Sequence, residues 1–206
     1  MLKKVLHIIF ILSCIGIGLY PILYFLIDQK FGLLTTKSAD LLASEVWNVF
    51  FYLHIVLGGL ALLIGWIQFL KKFREKNLST HRIIGKIYVA SCFISGISGL
   101  YIAYYATGGL ITKVGFSSLA ILWLYTTYMS FTAVKKGDIQ RHLNLMIYSY
   151  ALTFGAVTLR IWLPLLTMAF GEFLAAYKVV SWLAWVPNVI VAYFIVKNQS
   201  NINYQS

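Results

Sequence analysis

Six apolar runs, each long enough to cross a bilayer, take up most of this 206-residue chain. A spanning helix needs about 20 mainly apolar residues. The runs Val5–Ile27, Val46–Leu70, Ile83–Ala106, Val114–Val134, Leu143–Phe170 and Val179–Val196 meet or approach that length, the last being the shortest. Between them the chain has little else to fold. With 60% hydrophobic and 11% charged residues and a mean hydropathy of +0.80, its apolar surface exceeds what a water-soluble domain of this size can bury. The reading is an all-α membrane protein of six transmembrane helices.

The net charge of +11 is a topology signal. Lys3 and Lys4 precede the first run; Lys71, Lys72, Arg74, Lys76, Arg82 and Lys86 surround the second connection. Lys135, Lys136 and Arg141 lie in the fourth connection, and Lys197 follows the last run. Placing both termini in the cytoplasm puts these 12 of 17 basic residues inside and Asp28, Asp40, Glu45 and Glu172 outside, as the positive-inside rule requires. The inner face then meets anionic headgroups. Nucleic acid is excluded as a partner, since the basic residues form topology anchors and no exposed basic face.

The N-terminal run is about 23 residues long, against ~7–15 for the apolar part of a signal peptide, so it stays as the first helix. Cys14 and Cys92 lie inside runs and suit reduced packing residues. No connection is long enough for a separate soluble domain. The organisation is one membrane domain: residues 1–45 form the first helix and outer loop, 46–170 a core bundle of helices two to five, and 171–206 the last helix and a short cytoplasmic tail. Helices one and six carry few polar residues, which suits lipid-facing positions. The expected location is the bacterial cytoplasmic membrane, as a homo-oligomer or beside a membrane-complex partner.

Polar residues inside the runs carry the functional reading. On helix two, His54, Gly58, Ala61, Gly65 and Gln68 fall on one face by their spacings of three and four. On helix five, His142, Met146, Ser149, Thr153, Ala156 and Arg160 do the same. An arginine inside a span costs about 2.5–3.5 kcal/mol on insertion scales, and such residues are read as functional by default. Arg160 lies 18 residues past His142, about 27 Å, and His54 lies 17 residues before Lys71, about 25 Å. The two reach similar depth. They are candidates, with Gln68 and Thr153, for holding an anionic headgroup, a quinone or a small acid; the competing readings are snorkelling of Arg160 to the outer headgroups and hydrogen-bonded helix packing of His54. Trp123, Thr126, Thr127 and Ser130 on helix four suit interhelical hydrogen bonds or a cavity lining.

His81 and His142 begin helices three and five near the basic end. Two imidazoles on different membrane helices are the ligand set of a heme b or a metal ion. Interfacial anchoring of lipid phosphate is the competing reading for both. No G-x-S-x-G, P-loop or H-E-x-x-H motif is present, and no span carries a central carboxylate. The leading reading is a heme- or metal-linked redox module with His81 and His142 as ligands; the alternatives are a binder or transporter of a small anionic or lipid-like ligand, and a complex subunit without chemistry. His81-Arg82 with Tyr88, and Arg141-His142 with Tyr148, also hint at two related helical hairpins.

The stretch from His54 to Leu165 resembles the bacterial membrane-protein family Domain of Unknown Function 2306. The resemblance rests on His54 with Gly58-Gly59 and Gln68-Phe69, His81-Arg82 with Gly85 and Tyr88, and Leu122-Trp123. It continues through His142 with Met146 and Ser149-Tyr150-Ala151-Leu152-Thr153-Phe154 to Thr158-Leu159-Arg160. Leu143 departs from the pattern, which usually has an arginine there. The resemblance implies a multi-helix membrane fold and supplies no reaction.

Overall fold

A computed structural model describes residues 2–27 and 32–203, and every regular element among them is helical. Six stretches are long and apolar enough to cross a membrane: Lys4–Leu26, Glu45–Phe69, Leu78–Tyr104, Leu110–Lys135, Ile139–Phe170 and Phe173–Gln199. They coincide with the six runs. Asp28, one of the acids expected outside, lies beyond the described residues. Large apolar side chains such as Ile8, Leu12, Ile97, Ile190 and Phe194 are exposed, while Ser95, Ser98, Thr127, Ser130, Ser149 and Ser181 are buried. That reversal of the usual order suits hydrocarbon as the solvent. The chain divides into two compact units, residues 1–107 and 108–206.

In the first unit, α1 (Leu2–Leu19) passes through a 3-10 turn at Tyr20–Ile22 into α2 (Leu23–Leu26). Pro21 sits at the start of that turn, where its missing N–H costs nothing. The connection continues through a 3-10 turn at Gly32–Thr36 to α3 (Ala39–Ala43) and α4 (Glu45–Gly65). The hydroxyls of Ser38 and Ser44 accept the N–H groups of Leu41 and Trp47, capping α3 and α4. A 3-10 turn at Trp66–Phe69 ends α4, and α5 (Lys71–Lys76) leads into α6 (Leu78–Tyr104).

α4 and α6 form an antiparallel hairpin, with α1 against α4. The α1–α4 approach depends on glycine: a Cβ on Gly59 would sit 2.6 Å from the Gly18 carbonyl oxygen. Near the ends of α4 and α6 that lie away from the basic connection, Tyr24, Leu34, Trp47 and Phe51 form an aromatic-rich core, with Trp47 stacked on Phe51. The ammonium of Lys37 folds back over the C-terminus of α6. It donates to the Tyr105 carbonyl at 2.7 Å and to the Thr107 hydroxyl at 3.2 Å, where a helix end favours a cation. Burial pulls its pKa down to about 8.

The second unit begins with α7 (Leu110–Lys135) and turns at Gly137, whose φ of 79° favours glycine, into α8 (Ile139–Thr153). Asp138 caps α8 by accepting the Arg141 N–H at 3.0 Å. The fifth span is interrupted at Phe154 and resumes as α9 (Gly155–Phe170), running past Pro164 to a left-handed cap at Gly171. The last span is likewise divided into α10 (Phe173–Leu183) and α11 (Val186–Asn203).

This last span is more than the lipid-facing helix its composition suggested. It buries Ala176, Tyr177, Val180, Ser181, Ala184, Trp185 and Ala192. A Cβ on Gly115 of α7 would meet the Ser181 carbonyl of α10 at 2.9 Å, so these helices also pack backbone to backbone.

Candidate functional site

Each hairpin is closed by a histidine and a serine that grip each other's helix. In the first unit, Nδ1 of His54 lies 2.9 Å from the Ser95 carbonyl oxygen, and the Ser95 hydroxyl donates to the His54 carbonyl at 2.8 Å. A carbonyl only accepts, so Nδ1 carries the ring proton. In the second unit, Nδ1 of His142 lies 2.8 Å from the Ser130 hydroxyl and 3.1 Å from its carbonyl, while that hydroxyl reaches the His142 carbonyl at 3.1 Å. The order is reversed. The histidine is on the first helix of one hairpin and on the second helix of the other.

Depth differs as well. His54 is nine residues past Glu45 and Ser95 nine before Tyr104, placing that clasp about 14 Å along each helix. Ser130 is five residues from the end of α7 and His142 three from the start of α8, so the second clasp lies near the basic connection.

The polar stripe on helix five continues from this clasp as an interhelical ladder. Thr127 and Ser149 share a 2.7 Å hydrogen bond, and the Trp123 indole donates to the Thr153 hydroxyl at 2.9 Å. Thr153 in turn donates to the Ser149 carbonyl at 2.9 Å. Trp123, Thr127 and Ser130 of helix four thus hydrogen-bond across the hairpin, whereas Thr126 donates to its own helix at Leu122 and Trp123. Nη1 of Arg160 turns back to the Ala156 carbonyl at 2.9 Å. Carbonyl oxygens are a way to satisfy a guanidinium that cannot reach water.

Near the two interruptions of the second unit, Nδ2 of Asn188 faces the Ala184 carbonyl at 3.0 Å, the Thr158 hydroxyl at 3.1 Å and the Ala151 carbonyl at 3.3 Å. Thr158 also donates to the Ala184 carbonyl. One amide therefore serves both broken helices, as irregular backbone at membrane depth requires. Sequence reading singled out neither Asn188 nor Ser95, whereas Ser130 makes the interhelical hydrogen bond expected of helix four. The Pro187-Asn188 pair inside an apolar run was the available signal for Asn188, and the spacing of Ser91, Ser95 and Ser98 was that for Ser95.

The basic end of the first unit is different. Gln68, on the 3-10 turn that ends α4, is 6% exposed, and neither its Nε2 nor its Oε1 has a hydrogen-bond partner among the described residues. Two residues earlier, the buried indole nitrogen of Trp66 also lacks one. The 3-10 geometry turns these side chains away from the α-helical positions they would otherwise hold. Unpaired buried groups of this kind cost about 1–3 kcal/mol each. α5 packs against this turn and brings Lys71, Lys72, Arg74 and Lys76 beside it. Glu75 is the acid of that segment, and it pairs with Lys71 at 3.7 Å. His81 is half-buried one turn into α6.

The expected site residues are thus distributed between the units: His54, Gln68 and His81 in the first, His142, Thr153 and Arg160 in the second. Within the first unit His54 is tied to Ser95, and Gln68 lies at the basic end. Within the second, Thr153 and His142 stand on one ladder, with Arg160 two turns beyond Thr153. Among the described residues, no three His, Cys, Asp or Glu side chains gather in one place. Cys14 and Cys92 are buried and unbridged.

The model of the family described as Predicted membrane protein (DUF2306) matches residues 51–196. No curated protein and no solved structure matches the chain.

Proposed function

We propose that this chain, which belongs to the Predicted membrane protein (DUF2306) family, is a binding module of the bacterial cytoplasmic membrane with both termini in the cytoplasm. It holds a small amphiphilic molecule at the basic end of its first unit. The observation that carries this reading is the carboxamide of Gln68, buried with its donor and acceptor ends both unpaired. No protein group among the described residues satisfies either end of the amide, and a buried polar group is normally hydrogen-bonded, so a bound molecule is the natural partner.

Native mass spectrometry of the protein released from mild detergent tests the idea. The wild type should retain a small molecule that Gln68→Met does not. A wild type that retains nothing specific would end the reading.

A heme- or metal-linked redox role is the second reading, and the engagement of His142 Nδ1 by Ser130 favours it. An imidazole oriented through Nδ1 is set to ligate through Nε2, as metal-bound histidines generally are. Oxidised and dithionite-reduced absorption spectra with metal analysis decide it. A stoichiometric b-type spectrum lost in His142→Ala would establish a redox module, and a colourless, metal-free sample would remove it. Reporter fusions at each terminus check the orientation.

A further inference from the structure

We infer that the molecule held at Gln68 is an anionic phospholipid whose headgroup carries a free hydroxyl, of the phosphatidylglycerol class. This rests on the binding reading above and adds the chemistry of the ligand.

The unpaired groups specify what the ligand must bring. The two N–H bonds of the Gln68 amide and the indole N–H of Trp66 need acceptors, whereas Oε1 of Gln68 needs a donor. Charge adds a second condition. The segment after the turn carries Lys71, Lys72, Arg74 and Lys76 against Glu75 alone, with Arg82 and Lys86 on the first turns of α6.

A neutral quinol would meet the amide but leave the cations to water. A phosphodiester without a hydroxyl would meet the cations and the N–H groups but leave Oε1 bare. A glycerol phosphodiester meets both conditions, with phosphate oxygens as acceptors and a hydroxyl as donor. Trp66 stands at the end of a spanning helix, where indoles lie at headgroup level.

α5, six residues long, is among the elements packed against the turn that carries Gln68.

The test compares two lipids of equal charge on delipidated protein in neutral maltoside: phosphatidylglycerol, and phosphatidylmethanol, which lacks the hydroxyl. Soluble glycerol phosphate serves as the free-headgroup arm. Phosphatidylglycerol should bind about tenfold tighter than phosphatidylmethanol, the value of one well-made hydrogen bond to a buried acceptor. Gln68→Met should erase that advantage while still binding phosphatidylmethanol, which also shows that the variant is folded. Lys71→Gln with Lys72→Gln should weaken both lipids. Glycerol phosphate should bind far more weakly than either, since it lacks acyl chains; equal binding would overturn the lipid assignment.

Equal affinity of the wild type for the two lipids would overturn the hydroxyl inference. The binding reading would survive that result if Gln68→Met weakened both lipids or released another retained molecule. If Gln68→Met changed neither lipid and released nothing, both would fall.

Discussion

His54 and Ser95 hold each other across the first hairpin through two hydrogen bonds, ring Nδ1 to the Ser95 carbonyl at 2.9 Å and Ser95 hydroxyl to the His54 carbonyl at 2.8 Å. The pairing satisfies the Nδ1 proton and the serine hydroxyl at a depth where water is scarce. It also fixes the register of α4 against α6. The Ser130–His142 pair does the same for α7 and α8 near the basic connection.

Ser95→Ala and Ser130→Ala should each destabilise the protein by about 0.6–1.7 kcal/mol, the range of interhelical hydrogen bonds in membranes. Ser13→Ala is the control, because that hydroxyl donates to Ile9 of its own helix. Unfolding in mixed micelles of increasing dodecyl sulfate content measures all three. Equal midpoints for Ser95→Ala and Ser13→Ala would remove the clasp as a stabilising element.

Two glycines of the first unit, Gly59 on α4 and Gly85 on α6, should respond oppositely to a methyl group. Gly59→Ala would push a Cβ to 2.6 Å from the Gly18 carbonyl and 3.0 Å from the Pro21 ring, and backbone cannot step aside cheaply. We expect a loss of about 1–3 kcal/mol. Gly85→Ala meets nothing within 4 Å and should gain up to about 1 kcal/mol from helix propensity. Thermal melts in detergent distinguish the signs; a neutral Gly59→Ala would refute the close α1–α4 contact.

Asn188→Leu should be among the more damaging single changes in the second unit. It keeps the branched shape of the side chain but leaves the Ala151 and Ala184 carbonyls and the Thr158 hydroxyl without the amide they face. A cost of about 1–3 kcal/mol follows from one such unsatisfied group. Hydrogen exchange should then rise near Phe154 and Ala184 first. Unchanged exchange at both breaks would show that the amide does not hold them.

Lys37 gives a pH dependence of definite sign. Burial lowers its pKa from 10.5 to about 8, so between those values the unfolded chain carries a proton that the folded one does not. Stability should rise with pH across that window, because the burial penalty on the ammonium is fully present below about pH 8 and relieved above it. Melting temperatures of the wild type and Lys37→Met, taken from pH 7.5 to 10.5, should converge or cross in favour of the wild type as pH rises. Parallel curves would mean that the lysine titrates normally.

The spans and their number were legible in the sequence because lipid imposes one rule everywhere: about 20 apolar residues with internally paired backbone. Family membership was legible as well, since it rests on linear motifs around His54, His81 and the fifth helix. The polar stripe on helix five was visible by its spacing. Its partners Ser130, Thr127 and Trp123 were not assigned one by one, because spacing gives a face and not the residue opposite.

Tertiary structure alone decided three further points. It paired His54 with Ser95, 41 positions away in the chain. It turned the last helix from a plain apolar span into one that buries Ser181 and uses Asn188 to serve two helix breaks. It also tightened the end of α4 into a 3-10 turn that leaves Gln68 buried and unpaired. Hydrophobic periodicity is a local property, fixed by the helix repeat. Satisfaction of a polar group depends on whichever atoms packing brings within about 3 Å of it, and no linear pattern encodes that distance.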